Sequence, residues 1–144
     1  MKARSFACLL LAVAAGSVVA QPAPHHGVVP LSQAKFTADE DVKCLSDALE
    51  AGDPDKGPST FALKARPGCV VPWHYHTAEE QLVVVKGQVL TEMEGVRATD
   101  LGPGGFAFMA SREKHQFTCT GAAECLLFVT FDRTYDIQWV TPGH

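Results

Sequence analysis

From Ser59 onward the chain is written in short runs of alternating or continuous apolar residues. Thr60–Arg66, Trp73–His76, Gln81–Val85, Gln88–Met93, Gly105–Met109, His115–Thr120, Cys125–Phe131 and Ile137–Val140 are such runs. A period of two sends successive side chains to opposite faces, so each run predicts a strand with one face in a core. Gly68, Gly87, Gly95, Gly102-Pro103-Gly104-Gly105 and Gly121 punctuate the runs. Short strands separated by turn signals at this spacing predict an antiparallel β-sandwich or barrel. Upstream, Val42, Leu45 and Leu49 recur at intervals of three and four. That pattern allows a short helix or an irregular strand-like lead-in, and the residues leave the choice open. Gln21–Pro30 is Pro-rich and aperiodic, which predicts a flexible lead-in.

Composition agrees with one domain. The chain has 144 residues, of which 47% are apolar and 19% charged. That length suits a single core. Twelve Gly and nine Pro favour many short elements over long helices. A net charge of -4 gives no electrostatic support to nucleic-acid binding. No dinucleotide fingerprint, phosphate-binding loop or nucleophile elbow occurs.

The first twenty residues stand apart. Lys2 and Arg4 form a basic start, Phe6–Ala15 an apolar run, and Gly16–Ala20 a stretch of small or modest side chains. This is the layout of a secretory signal peptide cut after Ala20, with an uncleaved anchor as the alternative. The apolar run is short for a permanent span, and no later segment is long and apolar enough for one. The expected organisation is therefore a signal peptide over 1–20, a lead-in over 21–44 and one domain over 45–142. The mature chain is expected to be secreted or periplasmic, with no membrane association after cleavage. It keeps Cys44, Cys69, Cys119 and Cys125. Export permits disulfides. Four cysteines allow three full pairings. Cys119 and Cys125 flank an expected hairpin turn and are the first pair to consider.

Candidate chemistry gathers around Trp73-His74-Tyr75-His76. On a strand, residues two apart face one side, so His74 and His76 project together. Glu80 follows four residues later and reaches the same point if a turn at Thr77 and Ala78 lays the next strand alongside. His115 opens a further strand. Three imidazoles and a carboxylate converging in a small barrel make a mononuclear site for a divalent first-row metal. Imidazole suits Fe, Ni, Cu and Zn, and the carboxylate favours harder ions such as Fe(II) or Mn(II). The thiolates of a closed structural zinc site are not placed for it. His25 and His26, in the lead-in, are expected to be solvated.

The segment Gly68-x5-His74-x-His76-x3-Glu80-x6-Gly87 resembles the first motif of the cupin superfamily at every fixed position. The resemblance covers roughly residues 45 to 142. It implies a double-stranded β-helix, or jelly-roll, barrel with a short N-terminal extension. Gly102-Pro103-Gly104-Gly105 and Phe106–His115 resemble the second motif in part. Ala110 and Arg112 stand where cupins often carry Pro and Gly, and Cys119 where they often carry Asn. The resemblance implies that His74, His76, Glu80 and His115 bind one divalent metal per chain, with Fe(II) favoured and Mn, Ni, Zn or Cu possible. Glu79 is the competing carboxylate. Strand alternation disfavours it, because Glu80 shares a face with Leu82 and Val84.

The implied activity is that of a metal-dependent small-molecule enzyme, dioxygenase-like or of isomerase or lyase type. Glu80 then has a second role as a catalytic base. A non-catalytic sensor, carrier or accessory cupin is the alternative. Phe117 is expected inside with His115, and Glu113 and Lys114 as solvated turn charges. Trp73 and Tyr75 read as packing or dimer contacts, and Tyr135, Ile137 and Trp139 as an interface strand. A homodimer and a small-molecule partner follow from the resemblance.

Overall fold

The computed structural model describes residues 27–140. The signal peptide expected over 1–20, and His25 and His26, lie outside the described residues. A 3-10 turn at Leu31–Gln33 precedes the strands. These are β1 (Thr37–Ala38), β2 (Leu45–Gly52), β3 (Ser59–Ala65), β4 (Val70–Tyr75), β5 (Glu80–Lys86) and β6 (Val89–Met93). They continue with β7 (Thr99–Leu101), β8 (Phe106–Met109), β9 (His115–Cys119), β10 (Cys125–Phe131) and β11 (Gln138–Trp139). Every run read as a strand from its alternation forms one.

The strands build two antiparallel sheets. One has the order β1-β2-β3-β10-β5-β8, the other β11-β4-β9-β6-β7. The chain passes from one sheet to the other at most connections after β3, giving a jelly-roll barrel. The inner faces meet in a core that includes Leu82 and Val84 on β5, Leu127 and Val129 on β10, Val89 on β6 and Phe117 on β9. Fully burying an aliphatic side chain of this size contributes about 1.5–3 kcal/mol.

Two crossings need special backbone. Gly87, between β5 and β6, has φ +89°, and a Cβ there would lie 2.7 Å from Cys125 Sγ and 2.9 Å from Cys125 Cα. Only glycine accepts both the left-handed conformation and that approach. Arg112, between β8 and β9, also adopts a left-handed conformation, with φ 66°.

Several expectations change. The open segment after Val42 is strand β2, not a helix. Leu45 and Ala48 are buried although they face opposite sides, while Leu49 is exposed, so the helix-like spacing does not mark one buried stripe. Within the stretch read as a lead-in, Thr37 and Ala38 pair with Asp47 and Ser46, and Val42 joins the core. Cys44 is disulfide-bonded to Cys69. Cys119 is bonded to Cys125, but not across a hairpin. The two residues end β9 and begin β10, which lie in different sheets, so the bond closes a corner of the barrel. Likewise β4 and β5 do not lie side by side. The turn after His76 carries the chain across to the opposite sheet.

Candidate metal centre

His74 on β4 is the direct cross-strand partner of His115 on β9. His76 follows β4 on the same inward side, and Glu80 opens β5 on the facing sheet. Three imidazoles therefore approach from one wall and the carboxylate from the other. All four side chains are buried. One potential ligand atom from each lies within 4.8 Å of the others. The ring centroids of His74 and His115 are 4.3 Å apart, and those of His74 and His76 4.9 Å.

Each ring is oriented from behind by a backbone carbonyl. His74 Nδ1 donates to Pro72 O at 2.6 Å and His115 Nδ1 to Glu113 O at 2.8 Å. His76 Nδ1 donates to Asp136 O. A proton held on Nδ1 leaves the Nε2 lone pair free to bind a metal. The same arrangement on all three rings is the typical outer shell of metal-binding histidines. Glu80 Oε2 lies 3.2 Å from both His76 Nε2 and His115 Nε2. Yet neither Glu80 Oε2 nor His115 Nε2 has an aligned hydrogen-bond partner, although both atoms are buried. Unpaired buried polar atoms are costly. A divalent cation between them would satisfy both, and imidazole nitrogen with carboxylate oxygen is suitable donor chemistry. The residues present fit such an ion.

Electrostatics in the metal-free chain run in the same direction. Burial, with the neighbouring His115, pushes His74 down to about 4. It is therefore a neutral donor at neutral pH. Burial would lower His115 as well, but the adjacent Glu80 more than reverses this and raises it. Burial alone would raise Glu80, and the adjacent His115 and His76 hold it below the usual carboxylate range instead. In the metal-free chain His115 and Glu80 thus each favour the charged form of the other.

The crossing from His76 to Glu80 is pinned from two sides. Asp136 Oδ1 accepts from Thr77 N and Thr77 Oγ1, both at 2.8 Å, and Asp132 Oδ1 accepts from Glu79 N at 2.8 Å. Arg112 N donates to His76 O at 2.8 Å. These bonds fix alternation through the turn, so Glu79 is partly exposed and Glu80 points inward. Glu113 accepts from Ala110 N and Lys114 pairs with Glu94, so both serve the turn and surface.

A cavity of about 150 Å³ opens onto His74, His76 and Glu80. Phe117 lines it, as the strand face predicted. Tyr135, Ile137 and Trp139 line it too, a placement that the sequence reading did not include. They follow β10 into β11, which pairs with β4 beside His74, and the ring of Trp139 lies 5.4 Å from that of His74. Burial, with Glu80 adding, raises the Tyr135 phenol. Asp136 escapes sequence reading because its ring-orienting group is a backbone carbonyl, which carries no side-chain signature. Asp39 and Asp47 also line the cavity and were not singled out from the sequence.

Residues 63–131 match the family model described as "Cupin domain". The chain belongs to the cupin superfamily. Solved structures with the same fold include the polyketide cyclase RemF from Streptomyces resistomycificus. It is 19% identical, with a TM-score of 0.70, over 83% of this chain and 88% of that one. KdgF from Halomonas sp. is 19% identical with a TM-score of 0.60, over 72% of this cupin and 93% of that chain. The DMSP lyase DddQ from Ruegeria pomeroyi DSS-3 is 19% identical with a TM-score of 0.65, over 78% of this cupin and 64% of that chain. At these identities the likeness is one of fold. A search of curated proteins finds no match.

Proposed function

We propose that this cupin is an exported, metal-dependent enzyme acting on a small molecule, with dioxygenase-like chemistry. His74, His76 and His115 would hold one divalent ion through Nε2, and Glu80 through its carboxylate. The carrying observation is the set of three Nδ1–carbonyl hydrogen bonds, which leave three Nε2 lone pairs beside an unpaired buried carboxylate oxygen. The mixed nitrogen and oxygen set favours Fe(II), with Mn, Ni, Zn or Cu as competitors. Such an ion supplies Lewis-acid chemistry and, as Fe(II), O2-dependent oxidation.

The chain's own groups do the rest. The carbonyls behind the rings fix their orientation. Phe117, Phe131, Ile137 and Trp139 wall the cavity and thin out water around a bound molecule. Glu80 combines two roles, ligand and base, because the neighbouring imidazoles keep its buried carboxyl ionised and able to take up either a metal ion or a proton. The neutral Tyr135 is a hydrogen-bond donor near the reacting end.

Export is supported by the basic-then-apolar start of the chain and by two disulfides, which suit an oxidising compartment. A homodimer is supported by Val83, Val85, Phe106 and Phe108, exposed on the paired strands β5 and β8. Oxygen uptake by the Fe(II)-loaded protein with candidate diketones and phenolics tests the enzyme reading. Uptake that disappears in His76→Ala is expected. Tight binding of these compounds without any turnover would instead make the protein a carrier or sensor.

A further inference from the structure

The cavity has a second polar region. Asp39 and Asp47 line it together with His74, His76 and Glu80, and the walls between are largely apolar, with Phe61, Leu63, Val129 and Phe131 among them. Strand register locates Asp47 away from the metal-binding group. Glu80 on β5 is opposite Phe131 on β10, whereas Asp47 on β2 is opposite Leu63 on β3, which is opposite Leu127 on β10. Asp47 is thus three strands across and four β10 residues along from Glu80. Asp39 is held at the same wall by the pairing of β1 with β2 and by its N–H, which donates to Leu45 O at 3.1 Å. One of its oxygens accepts from Asp41 N and Val42 N, at 2.8 and 2.6 Å.

Among the described residues, no Lys or Arg pairs with either carboxylate. The nearby cations are engaged elsewhere: Lys64 sits over the Phe36 ring and Arg66 donates to Lys43 O. The two acids alone would be only a charged surface. What makes this a ligand site is the common cavity, whose other end holds the unpaired and buried Glu80 Oε2 beside His115 Nε2.

We propose that the pocket selects small molecules with a metal-chelating group at one end and a protonated amine at the other, with Asp47 and Asp39 receiving the amine. This rests on the metal-binding reading above and adds a substrate class to it. The physical basis is complementarity. A cation gains charge-assisted hydrogen bonds from two carboxylates that lack a cationic partner. The aromatic rings of Phe61 and Tyr135 on the cavity wall attract the same charge. An anionic tail would be repelled by both acids. Burial and the neighbouring Asp39 raise the Asp47 carboxyl, a cost that a bound cation would relieve.

Three catechols with the same chelating end test this: dopamine, 4-ethylcatechol and 3,4-dihydroxyphenylacetate. Their binding to the zinc-loaded and metal-stripped protein is measured by calorimetry at low ionic strength. The expected order on the loaded protein is dopamine, then 4-ethylcatechol, then 3,4-dihydroxyphenylacetate, with at least about a fivefold step between the first two. In Asp47→Asn the dopamine advantage falls to less than about twofold, while 4-ethylcatechol binds as before. Equal affinity for the three compounds, or an unchanged preference in Asp47→Asn, would overturn the amine assignment alone. If 4-ethylcatechol binds the stripped protein as tightly as the loaded one, or none of the three binds the loaded one, the chelating end is wrong and the assignment falls; a chain that takes up no zinc would instead overturn the metal-binding reading on which the assignment rests.

Discussion

The two ends of the barrel interior are built on the same strands and have opposite chemistry. Along β9 the inward residues are His115, Phe117 and Cys119, and along β5 they are Glu80, Leu82 and Val84. At one end, three imidazoles and a carboxylate are buried with two polar atoms unpaired. At the other, Val84, Val89 and Leu127 pack around the Cys119–Cys125 bond with no exposed surface. Strand alternation treats both ends alike, since it decides only which residues face inward. Register and sheet crossings decide which inward residues meet. The apolar end supplies rigidity, and the polar end uses it to keep four donors together that would repel or solvate separately.

The largest effect is expected at the apolar end. Leu127→Ala, at a fully buried position, should cost about 2–5 kcal/mol in denaturant unfolding. The folded fraction should keep its metal, because Leu127 does not line the cavity. Loss of metal from that folded fraction would mean that the ends are not separable.

Acid should act on the polar end. Metal uptake displaces the proton from His115, whose pKa is raised because Glu80 outweighs the lowering effect of burial. Affinity should therefore fall as pH drops through and below that raised value, by at least roughly tenfold per pH unit. His74, pushed down to about 4 by burial and His115, joins the competition only near that pH. The fall should steepen there, and competition titrations against a chelator of known pH dependence would follow it. A flat profile from pH 7 to about 5 would contradict histidine ligation.

A smaller effect is expected behind the site. Asp136→Ala keeps the carbonyl that His76 uses but removes both bonds to Thr77. Metal affinity should fall about tenfold, with little change in the unfolding midpoint of the metal-free chain. The smallest effect is a gain. Arg112→Gly removes a left-handed arginine at a rim turn and should stabilise the fold by about 1 kcal/mol or less. Thermal melts at several protein concentrations would detect it.

The strands around the site were legible because one face of each is buried. The exceptions have physical causes. β2 buries residues on both faces and carries a register shift between Leu49 and Ala51, which blurs its period. β7 is a three-residue edge strand, Thr99–Leu101, with little apolar content. The four candidate ligands were legible from spacing because His74 and His76 alternate along and just past β4 while Glu80 and His115 begin β5 and β9. Glu80's arrival from the opposite sheet was not, since residue spacing is the same whether a turn makes a hairpin or a crossing. The carbonyl of Asp136 and the walls supplied by Tyr135, Ile137 and Trp139 come from a tail that returns to β4, a long-range pairing with no local signal.

The most direct test is metal content by elemental analysis of the purified chain, stripped and reloaded, beside His74→Ala and His115→Ala. About one divalent ion per wild-type chain is expected, with a strong reduction in both variants and circular dichroism still showing a β-rich fold. Equal metal in all three proteins would contradict this.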